Sequence, residues 1–413
     1  MRYVEKIFKN VEVEWKTVDN VFYIKNGYTP SKQAKEFWSN GTIPWFRMED
    51  IRQNGRILRD SIQHISISAI KGNLIPANSL FMSTTATLGE HALVLIPYLT
   101  NQQITSFSIK ESYSNRVSVK FLFYCFYDFG KWCADNANKN GGLSIIGINK
   151  LKQYSIPIPP LEIQAQIVRI LDTFTELTAE LTAELTAELT ARKKQYNYYR
   201  EELFSFDEGN VKYFPLGDEN IGKFTRGSGL QKKDFTETGV GCIHYGQIYT
   251  YYGTYTDKTK TFVSQEFAKN ARKAKYGDLV IATTSENDED VCKAVAWLGD
   301  EEIAVSSDAC FYTHNLNPKY VAYFFQTELF QKQKRPFITG TKVRRVNADD
   351  LAKIKIPVPS PEEQERIVTI LDKFDTLTTS ISEGLHKEIE LRKKQYEYYR
   401  DMLLAFPQDN LKA

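Results

Sequence analysis

Basic and polar side chains are concentrated in the turn-rich parts of two blocks of this 413-residue chain, and their types suit the reading of nucleic-acid base edges. Arg and Lys pair with guanine edges or with phosphates, and Gln pairs with adenine. Any single one is more often a solvated surface residue than a base contact. The candidates in the first block are Thr29, Ser31, Lys32, Arg47, Arg52, Arg56, Thr84, Thr85 and Lys139, and those in the second are Arg226, Ser228, Gln231, Lys232, Lys233, Thr283, Thr284, Lys342, Arg344 and Arg345. The strongest of these are the clusters Gln231-Lys232-Lys233 and Lys342-Arg344-Arg345.

The sequence lacks the motifs of catalysis. It contains no NPPF- or NPPY-type tetrapeptide, no glycine-rich cofactor loop after a strand and no GxxxxGK[ST] phosphate loop, which argues against methyl transfer and an ATP-driven motor in this chain. No nucleophile–base pair can be named. We therefore predict no catalytic, cofactor-binding or metal-binding residue. Ordinary structural or surface roles are expected for the scattered histidines His64, His91, His244, His314 and His386.

The rest of the chain must position the candidate residues. Its clearest predicted element is a long helix over residues 161–206, a stretch without glycine or proline. Within it, residues 178–189 are three consecutive copies of the tetrapeptide TAEL, whose Ala, Leu and Glu are strong helix formers. Apolar residues recur at alternating spacings of four and three, which predicts a coiled-coil seam. Each TAEL copy adds about 6 Å of helix, so the repeat indicates a spacer of adjustable length. The predicted seam and spacer residues are Ile167, Ile170, Phe174, Leu177, Leu181, Leu185 and Leu189.

A second copy of this helix follows two hundred residues later. The motif IPIPPLEIQAQIVRILDTF at residues 156–174 recurs as IPVPSPEEQERIVTILDKF, and RKKQYNYYREELFSF at residues 192–206 recurs with ten of fifteen positions identical. Two matched amphipathic helices most simply bury their seams against each other. A period of this length indicates an internal duplication. The second seam is predicted at Ile367, Ile370, Phe374, Leu377 and Ile381, with Gly384 as an interruption.

The two globular blocks, roughly residues 11–150 and 210–350, repeat one order of elements with diverged sequences. VEVEWKTV, SLFMSTT and LVLI predict strands in the first block, and residues 119–129 predict a helix. VKYFPL, GCIHY and DLVIATT occupy corresponding places in the second block. Because the helical parts kept their sequence after duplication and the globular parts did not, the chain should recognise something bipartite and asymmetric.

Composition indicates a globular protein of two or three domains. The chain is 42% hydrophobic and 25% charged, and its net charge of +2 means that any nucleic-acid binding must depend on local patches. No apolar run approaches the ~20 residues of a membrane helix. The five cysteines have no CxxC spacing and are expected to be reduced cytoplasmic thiols.

The whole chain resembles the specificity (S) subunits of type I restriction–modification enzymes, in the group with TAEL repeats in the central helix. The paired IPxP and RKKQYxYYR segments, the TAEL array and the TPSK…FW.NG.IPW block carry the resemblance. It implies an α+β fold with an internal pseudo-twofold repeat offset by 200 residues. Two globular target-recognition domains, residues 1–150 and 210–350, would be separated by two long antiparallel coiled-coil helices from the conserved segments 151–209 and 351–413.

The resemblance also implies a non-catalytic subunit that reads a bipartite, asymmetric target in double-stranded DNA, with TAEL copy number setting the spacer. The chain would scaffold two methyltransferase (M) subunits and, through them, two restriction (R) subunits in the cytoplasm of a bacterium or archaeon, with no membrane role. The whole complex is an adenine methyltransferase and ATP-dependent endodeoxyribonuclease. S-adenosylmethionine, ATP and Mg would be bound by the partner subunits and no cofactor by this chain.

The RKKQYxYYR segments have two interpretations. Their basic and aromatic residues could grip DNA, whereas Tyr196, Tyr199 and Leu203 share a helix face suited to packing, with Arg and Lys extending past it. We favour packing together with docking of M subunits, because the seam period indicates a buried face. The docking candidates are Arg192, Tyr196, Tyr199, Arg392, Tyr396 and Tyr399.

Two other hypotheses stay open at this point. A coiled-coil protein-interaction scaffold without DNA specificity is permitted by the near-neutral charge, and absence of sequence-specific binding in the presence of M subunits would support it. A single-chain fused restriction–methyltransferase is opposed by the missing motifs, and absence of methylation by the purified chain would dismiss it.

Overall fold

A computed structural model describes residues 11–138, 144–207, 209–379 and 384–406, so the predicted residues Lys139 and Ile381 lie outside the described part. The chain forms two compact units, Met1–Leu181 with Leu391–Ala413, and Thr182–Glu390. Each unit holds one globular block, the first turns of the helix that follows it and part of the other helical segment. The units therefore divide within the helices, and the domain limits drawn from the sequence repeat stay a prediction.

The first block combines two sheets with short helices. Its elements are β1 (Glu14–Thr17), α1 (Val18–Val21), β2 (Phe22–Asn26), β3 (Ile43–Phe46), α2 (Met48–Asn54), β4 (Ile57–Leu58), β5 (His64–Ile65), β6 (Ser79–Ser83), β7 (His91–Val94), β8 (Leu99–Thr100), β9 (Ile104–Ile109), α3 (Val119–Asp135), α4 (Ile148–Leu151) and β10 (Ser155–Ile158). The main sheet has the order β2-β9-β6-β7-β4, antiparallel except for β7 and β4. A smaller sheet has the order β5-β3-β8, and β1 pairs with β10.

The main sheet is buried on both faces, which explains the continuous apolar run of β6. Leu80 and Met82 pack with the aromatic residues of α3, whereas Phe81 between them packs with Phe46 and Tyr98 on the opposite face. This alternation follows from the two-residue period of a strand. The first core therefore continues from the sheet through α3.

The second block repeats this architecture. Its elements are β11 (Lys212–Pro215), β12 (Gly222–Arg226), β13 (Phe235–Thr236), β14 (Val240–Ile243), α6 (Tyr245–Thr250), β15 (Tyr255–Thr256), β16 (Thr261–Val263), α7 (Gln265–Asn270), β17 (Lys273–Ala274), β18 (Leu279–Ala282), β19 (Thr284–Ser285), β20 (Ala294–Trp297), β21 (Ile303–Val305), β22 (Ala309–His314), α8 (Pro318–Phe324), α9 (Glu328–Lys334), β23 (Arg344–Arg345), α10 (Ala348–Leu351) and β24 (Lys355–Val358), with α5 (Leu161–Leu203) preceding them. The sheet orders β12-β22-β18-β20-β15 and β13-β16-β14-β21-β17 match those of the first block, with extra edge strands in the smaller sheet. The predicted internal repeat is confirmed.

The helix α5 is continuous over 43 residues and includes all three TAEL copies. Its buried stripe differs from the predicted seam, because the first turns pack against α3 of their own block. Gln164, Ile167 and Leu171 are fully buried, whereas Ile170 and Phe174 are half-buried. Leu177 is 54% exposed, so its assignment to a buried seam is wrong for the chain alone. Farther along, Leu181 and Leu185 are half-buried and Leu189 is buried.

The second helical segment is described as two helices, α11 (Pro361–Thr379) and α12 (Leu385–Leu404), with Gly384 directly before α12. On α11, Ile367 is fully buried and Ile370, Phe374 and Leu377 are half-buried. Residues 380–383 between these two helices lie outside the described part, so the single C-terminal helix stays a prediction. Gly384 fits this position because glycine weakens a helix interior.

A buried glutamine joins each globular block to its helix. Gln164 accepts a hydrogen bond from the Ser118 amide at 2.8 Å, and its own amide donates to the carbonyls of Pro159 and Arg116 at 2.7 and 2.9 Å. In the second unit Gln364 occupies the equivalent place, accepting from the Asn317 amide and donating to the carbonyl of Pro359. These bonds fix the first turn of each helix to the chain that enters α3 or α8.

About two turns farther along, an aspartate repeats the connection. Asp172 binds the ammonium of Lys120 at 2.6 Å and the hydroxyl of Tyr124 at 2.7 Å. Asp372 binds Lys319 and Tyr323 in the same way, each at 2.7 Å. Burial raises the pKa of Tyr124, so its hydroxyl stays a neutral donor.

The RKKQYxYYR segments pack inward, as the packing interpretation predicted. In the first unit, the Tyr399 ring stacks on Phe174 and the Tyr396 hydroxyl lies 3.0 Å from Thr175 Oγ1. In the second, Tyr199 stacks on Phe374 and the buried Tyr196 donates to Gln326 at 3.0 Å. Arg192 is paired with Glu188 of its own helix, and Arg392 donates to Gln395.

Replacing Gln164 with Leu tests the connection between block and helix. The change preserves side-chain bulk but leaves the Ser118 amide and two carbonyls unpaired, so the free energy of unfolding should fall by about 2–3 kcal/mol. Urea unfolding measures the loss. Gln166→Leu, the same change at an exposed position on the same helix, should alter stability by no more than about 0.5 kcal/mol. Equal destabilisation by both variants would contradict this account of Gln164.

Candidate nucleic-acid interface

Three segments of the first unit meet at one edge of its smaller sheet. β3 and β8 run parallel, with Phe46 opposite Thr100, so the chain leaves both strands at the same edge. The Asn101 amide donates to the Phe46 carbonyl at 3.1 Å, and the Tyr28 amide donates to the Thr100 carbonyl at 2.8 Å. The surface built this way, which we call the first crest, comprises residues 27–32, Arg47 and residues 101–103.

The second unit builds an equivalent surface with the same backbone bonds. β14 and β21 run parallel, with Ile243 opposite Val305. The Ser306 amide donates to the Ile243 carbonyl at 3.2 Å, and the Ser228 amide donates to the Val305 carbonyl at 2.8 Å. We call this surface the second crest; it comprises residues 227–232, His244 and residues 306–308.

One glycine in each crest is required by this close approach. A Cβ added to Gly27 would lie 2.2 Å from the Asn101 carbonyl oxygen, and one added to Gly227 would lie 2.1 Å from the Ser306 carbonyl oxygen. Both distances are far below van der Waals contact, and the obstacle is backbone that cannot rotate away. The two glycines therefore hold the loop after β2 or β12 against the strand-end turn.

The first crest lines a groove of about 560 Å³. The structure brings Thr29, Lys32 and Arg47 together there, as a set of candidate base contacts would require. The groove also contains residues that the sequence analysis did not select, Lys35, Trp38, Ser39, Trp45, Gln63, Asn101, Gln102 and Gln103. Gln102 and Gln103 are exposed, and amide side chains can both donate to and accept from base edges. The Asn-Gln-Gln run between two buried strands was the available signal.

Two tryptophans shape this groove. The Trp38 and Trp45 rings meet edge to face at 5.1 Å, and their Nε1 atoms donate to the carbonyls of Ser31 and Tyr28 at 2.9 and 3.0 Å. The indoles thus fix the loop that carries Thr29 and Lys32. Ser31 contributes its carbonyl to this arrangement.

Arg47 directly precedes α2. Its backbone amide donates to the fully buried carboxylate of Asp50 at 2.7 Å, and its guanidinium pairs with Glu49 at 2.9 Å and lies 5.9 Å from the Trp45 ring. Its Nε is buried and has no hydrogen-bond partner among the described residues. The side chain thus retains donors for a ligand at the crest.

Several candidates of the first block serve the fold instead. Thr84 is buried and bonds Thr105 Oγ1 at 3.1 Å, supporting the turn beside Gln103. Thr85 is half-buried and pairs with Ile145. Arg56 donates to the His91 carbonyl at 3.0 Å, and Arg52 is exposed on α2, outside the groove.

Four candidates of the second block line one small cavity of about 170 Å³, namely Arg226, Thr283, Thr284 and Arg345. The Arg226 Nε donates to the Ser307 carbonyl at 3.2 Å, and the Thr283 hydroxyl donates to the Asp308 carbonyl at 2.9 Å. Thr284 is buried beneath Arg345 in the β19–β23 pair. The two arginines are exposed and leave side-chain donors at the crest, whereas the threonines support it.

The cluster Lys342-Arg344-Arg345 divides into different roles. Arg344 forms an ion pair with Asp288 at 2.7 Å, whereas Arg345 borders the cavity and Lys342 is exposed. In the other cluster, the Gln231 amide is capped by Asp234 at 2.8 Å, and Lys232 and Lys233 are exposed. Ser228 accepts from the Arg272 amide at 2.6 Å and is structural.

The histidines follow the expected pattern with one exception. Burial lowers the pKa of His91 to about 3 and that of His314 to about 4, so both are neutral; His91 lies in the core and His314 is half-buried. His64 lies 2.8 Å from Asp60. His244 departs from the expectation, because it lies in the second crest at the position that Arg47 holds in the first. The side chain of His386 is outside the described part.

Within the described ranges, no group of three or more His, Cys, Asp or Glu side chains could hold a metal ion. The five cysteines are free and buried. Burial raises the pKa of Cys133 and of Cys292 to about 12, so these thiols are unreactive. None of the helices in the described ranges is both long and apolar enough to cross a membrane.

The chain matches a known family over both of its repeats. The family model described as type I restriction modification DNA specificity domain matches residues 10–191 and again residues 209–391. The chain is 40% identical over 396 residues to the type I restriction enzyme EcoprrI specificity subunit of Escherichia coli, covering 93% of this chain and 92% of that protein. It is 31% identical to the EcoR124I/EcoR124II specificity subunit of Escherichia coli, covering 98% of each chain. The chain therefore belongs to the type I restriction–modification specificity subunits, as the resemblance predicted.

Solved structures show the same fold. A chain from a structure on complex assembly and conformational transition of the type I R-M system superposes with a TM-score of 0.70 at 14% identity, covering 95% of this chain and 97% of that chain. The HsdS subunit from Thermoanaerobacter tengcongensis superposes with a TM-score of 0.56 at 14% identity, covering 95% and 96%. The predicted α+β class is confirmed.

Matched substitutions in β23 test which arginine contacts DNA. Arg345→Gln removes an exposed donor from the cavity beside the second crest, so the dissociation constant of the assembled complex for its DNA should rise roughly tenfold or more. Arg344→Gln removes a side chain that is already paired with Asp288, and its effect should stay within about threefold. Binding titrations at fixed salt measure both constants. Equal losses would mean that the cluster acts only as a general positive surface.

Proposed function

We propose that the two crests read two different DNA half-sites and that α5 sets the distance between them. The observation that carries this proposal is the pair of equivalent backbone bonds, Asn101 to Phe46 and Ser306 to Ile243, which support unlike side chains. A backbone arrangement that is the same in both crests but carries different side chains suits a bipartite, asymmetric target. The scaffold hypothesis without DNA specificity is disfavoured by membership of a DNA specificity family.

The side chains favour different bases in the two half-sites. The first crest combines the amides of Gln102 and Gln103 with Lys32 and Arg47, a set suited to adenine and guanine. In the second, the donors of the neighbouring Arg226 and Arg345 lie beside the Asp308 carboxylate, and carboxylates accept from the amino group of cytosine. Exposed lysines beside both crests suit phosphate contacts, which position the protein without reading sequence. The net charge of +2 agrees with contacts confined to such patches.

The TAEL array supplies the adjustable element. Each copy adds about 6 Å and turns the helix about 40° beyond a full turn. Gln164 and Gln364 bind each block to the first turn of its helix. A change in the length of α5 therefore changes the distance between the two crests. The DNA spacer must then change to match.

The RKKQYxYYR segments support docking of two M subunits through residues other than the predicted tyrosines. Tyr196, Tyr199, Tyr396 and Tyr399 take part in internal packing. Tyr198 and Tyr398 are 60% and 62% exposed, and each segment also carries a pair of exposed lysines; all of these are identical in the two copies. The exposed docking candidates of these repeated segments are Lys193, Lys194, Tyr198, Lys393, Lys394 and Tyr398.

In this proposal the chain selects the site and its partners perform the chemistry. The M subunits bind S-adenosylmethionine and methylate adenine, and the R subunits, attached through M, use ATP and Mg to translocate and cleave. The complex works on double-stranded DNA in the cytoplasm. This division agrees with the absence of catalytic motifs in the sequence.

Deleting one TAEL copy, residues 182–185, tests the spacer role. The recognised spacer should become shorter while both half-sites keep their bases, because the crests are untouched. Sequencing of methylated adenines in DNA from cells that express the variant with its M partner gives the motif directly. Thr182→Ala keeps the helix length and should leave the spacer unchanged. Altered half-site bases in the deletion variant would refute the spacer role.

A further inference from the structure

Arg47 and His244 occupy one position in the two halves of the chain. Arg47 follows the last residue of β3 and precedes α2, and His244 follows the last residue of β14 and precedes α6. In each case the preceding carbonyl accepts from the first amide of the neighbouring turn, Asn101 or Ser306. The surrounding backbone is the same while the side chain differs, which is what a position that distinguishes two half-sites requires.

The hydrogen bonds of His244 determine which ring nitrogen carries the proton. Its Nδ1 accepts from the Gly246 amide at 3.3 Å, so in the neutral ring the proton lies on Nε2. Burial and the neighbouring Lys232 lower the pKa of His244, with Asp308 opposing them, and the ring is neutral at physiological pH. The backbone amide of His244 is also held, by Gln247 Oε1 at 3.0 Å.

The ring is fixed on two sides by aromatic neighbours. Tyr245 lies 4.6 Å from it and Phe235 lies 5.9 Å away in an edge contact. The side chain is half-buried, and Nε2 has no hydrogen-bond partner within the ranges that the structure covers. The result is a rigid, single N–H donor at the crest, under the electrostatic influence of both Lys232 and Asp308.

We infer that Arg47 and His244 are equivalent specificity-determining residues, one for each half-site. The inference rests on the proposed function, since it requires that the crests contact DNA. Arg47 presents several donors and suits the paired acceptors O6 and N7 of guanine. His244 presents one donor and selects a base with a major-groove acceptor: guanine, adenine through N7, or thymine through O4. It excludes cytosine, whose groove edge offers only an amino donor.

The alternative role for His244 is to cap α6 and nothing more. The two roles can be separated, because asparagine is among the best residues at a helix N-cap. His244→Asn retains an acceptor for the Gly246 amide but removes the ring nitrogen that reaches past it. If His244 served only as the cap of α6, the His244→Asn variant would keep its DNA target.

The test is the methylated motif made by the full chain with its M partner, determined by single-molecule sequencing of adenine methylation. His244→Asn should reduce discrimination roughly tenfold or more at one base pair of one half-site. The other half-site should keep its sequence and methylation, which also shows that the variant folds. Arg47→Asn should relax one base pair in the opposite half-site. Lys223→Gln, an exposed change at the far end of β12 from the second crest, should leave the motif unchanged.

An unchanged motif for His244→Asn would overturn the inference and leave the proposed function standing. Relaxation of both half-sites by either variant would also overturn it, because the effect would not belong to one crest. If the unaltered chain gave no bipartite motif, the proposed function would fail and the inference with it. The wild-type result therefore distinguishes the two failures.

Discussion

The structure depends on a buried glutamine in the first turn of each long helix. Gln164 and Gln364 are nearly inaccessible to water, and each satisfies backbone groups that would otherwise be buried without partners. Such groups cost about 1–3 kcal/mol each when left unpaired. Asp172 and Asp372 extend each connection by about two turns. These bonds therefore fix each block to the first turns of its own helix.

This coupling explains which parts of the sequence stayed alike after duplication. The residues that join block to helix recur in both copies of the IPxP and RKKQYxYYR motifs, since each unit needs the same joint. In the crests, only the glycines that permit close backbone approach must be the same in both copies, and the other side chains are free to differ. Arg47 and His244 illustrate the result, in which one backbone frame carries two different donors.

The sequence predicted the large-scale organisation well and the site less well. Duplication, the strands and the long helix follow from local periodicity and from repeated motifs. The buried stripe of α5 was displaced because its first turns pack on α3, a tertiary contact that helical periodicity does not contain. Leu171 is fully buried and was missed, whereas Leu177, assigned to the seam, is exposed. Sequence could not separate the roles of Arg345 and Arg344, since only the fold shows that Arg344 is already paired with Asp288.

In the proposed function, one chain carries two independent DNA-reading surfaces held at a fixed separation. The most direct measurement is single-molecule sequencing of adenine methylation in DNA from cells that express the unaltered chain with its M partner. If the two crests read separate half-sites, the methylated motif is bipartite, with two unlike half-sites separated by a constant number of unspecified bases. A single continuous motif, or methylation without any motif although the complex assembles, would contradict it.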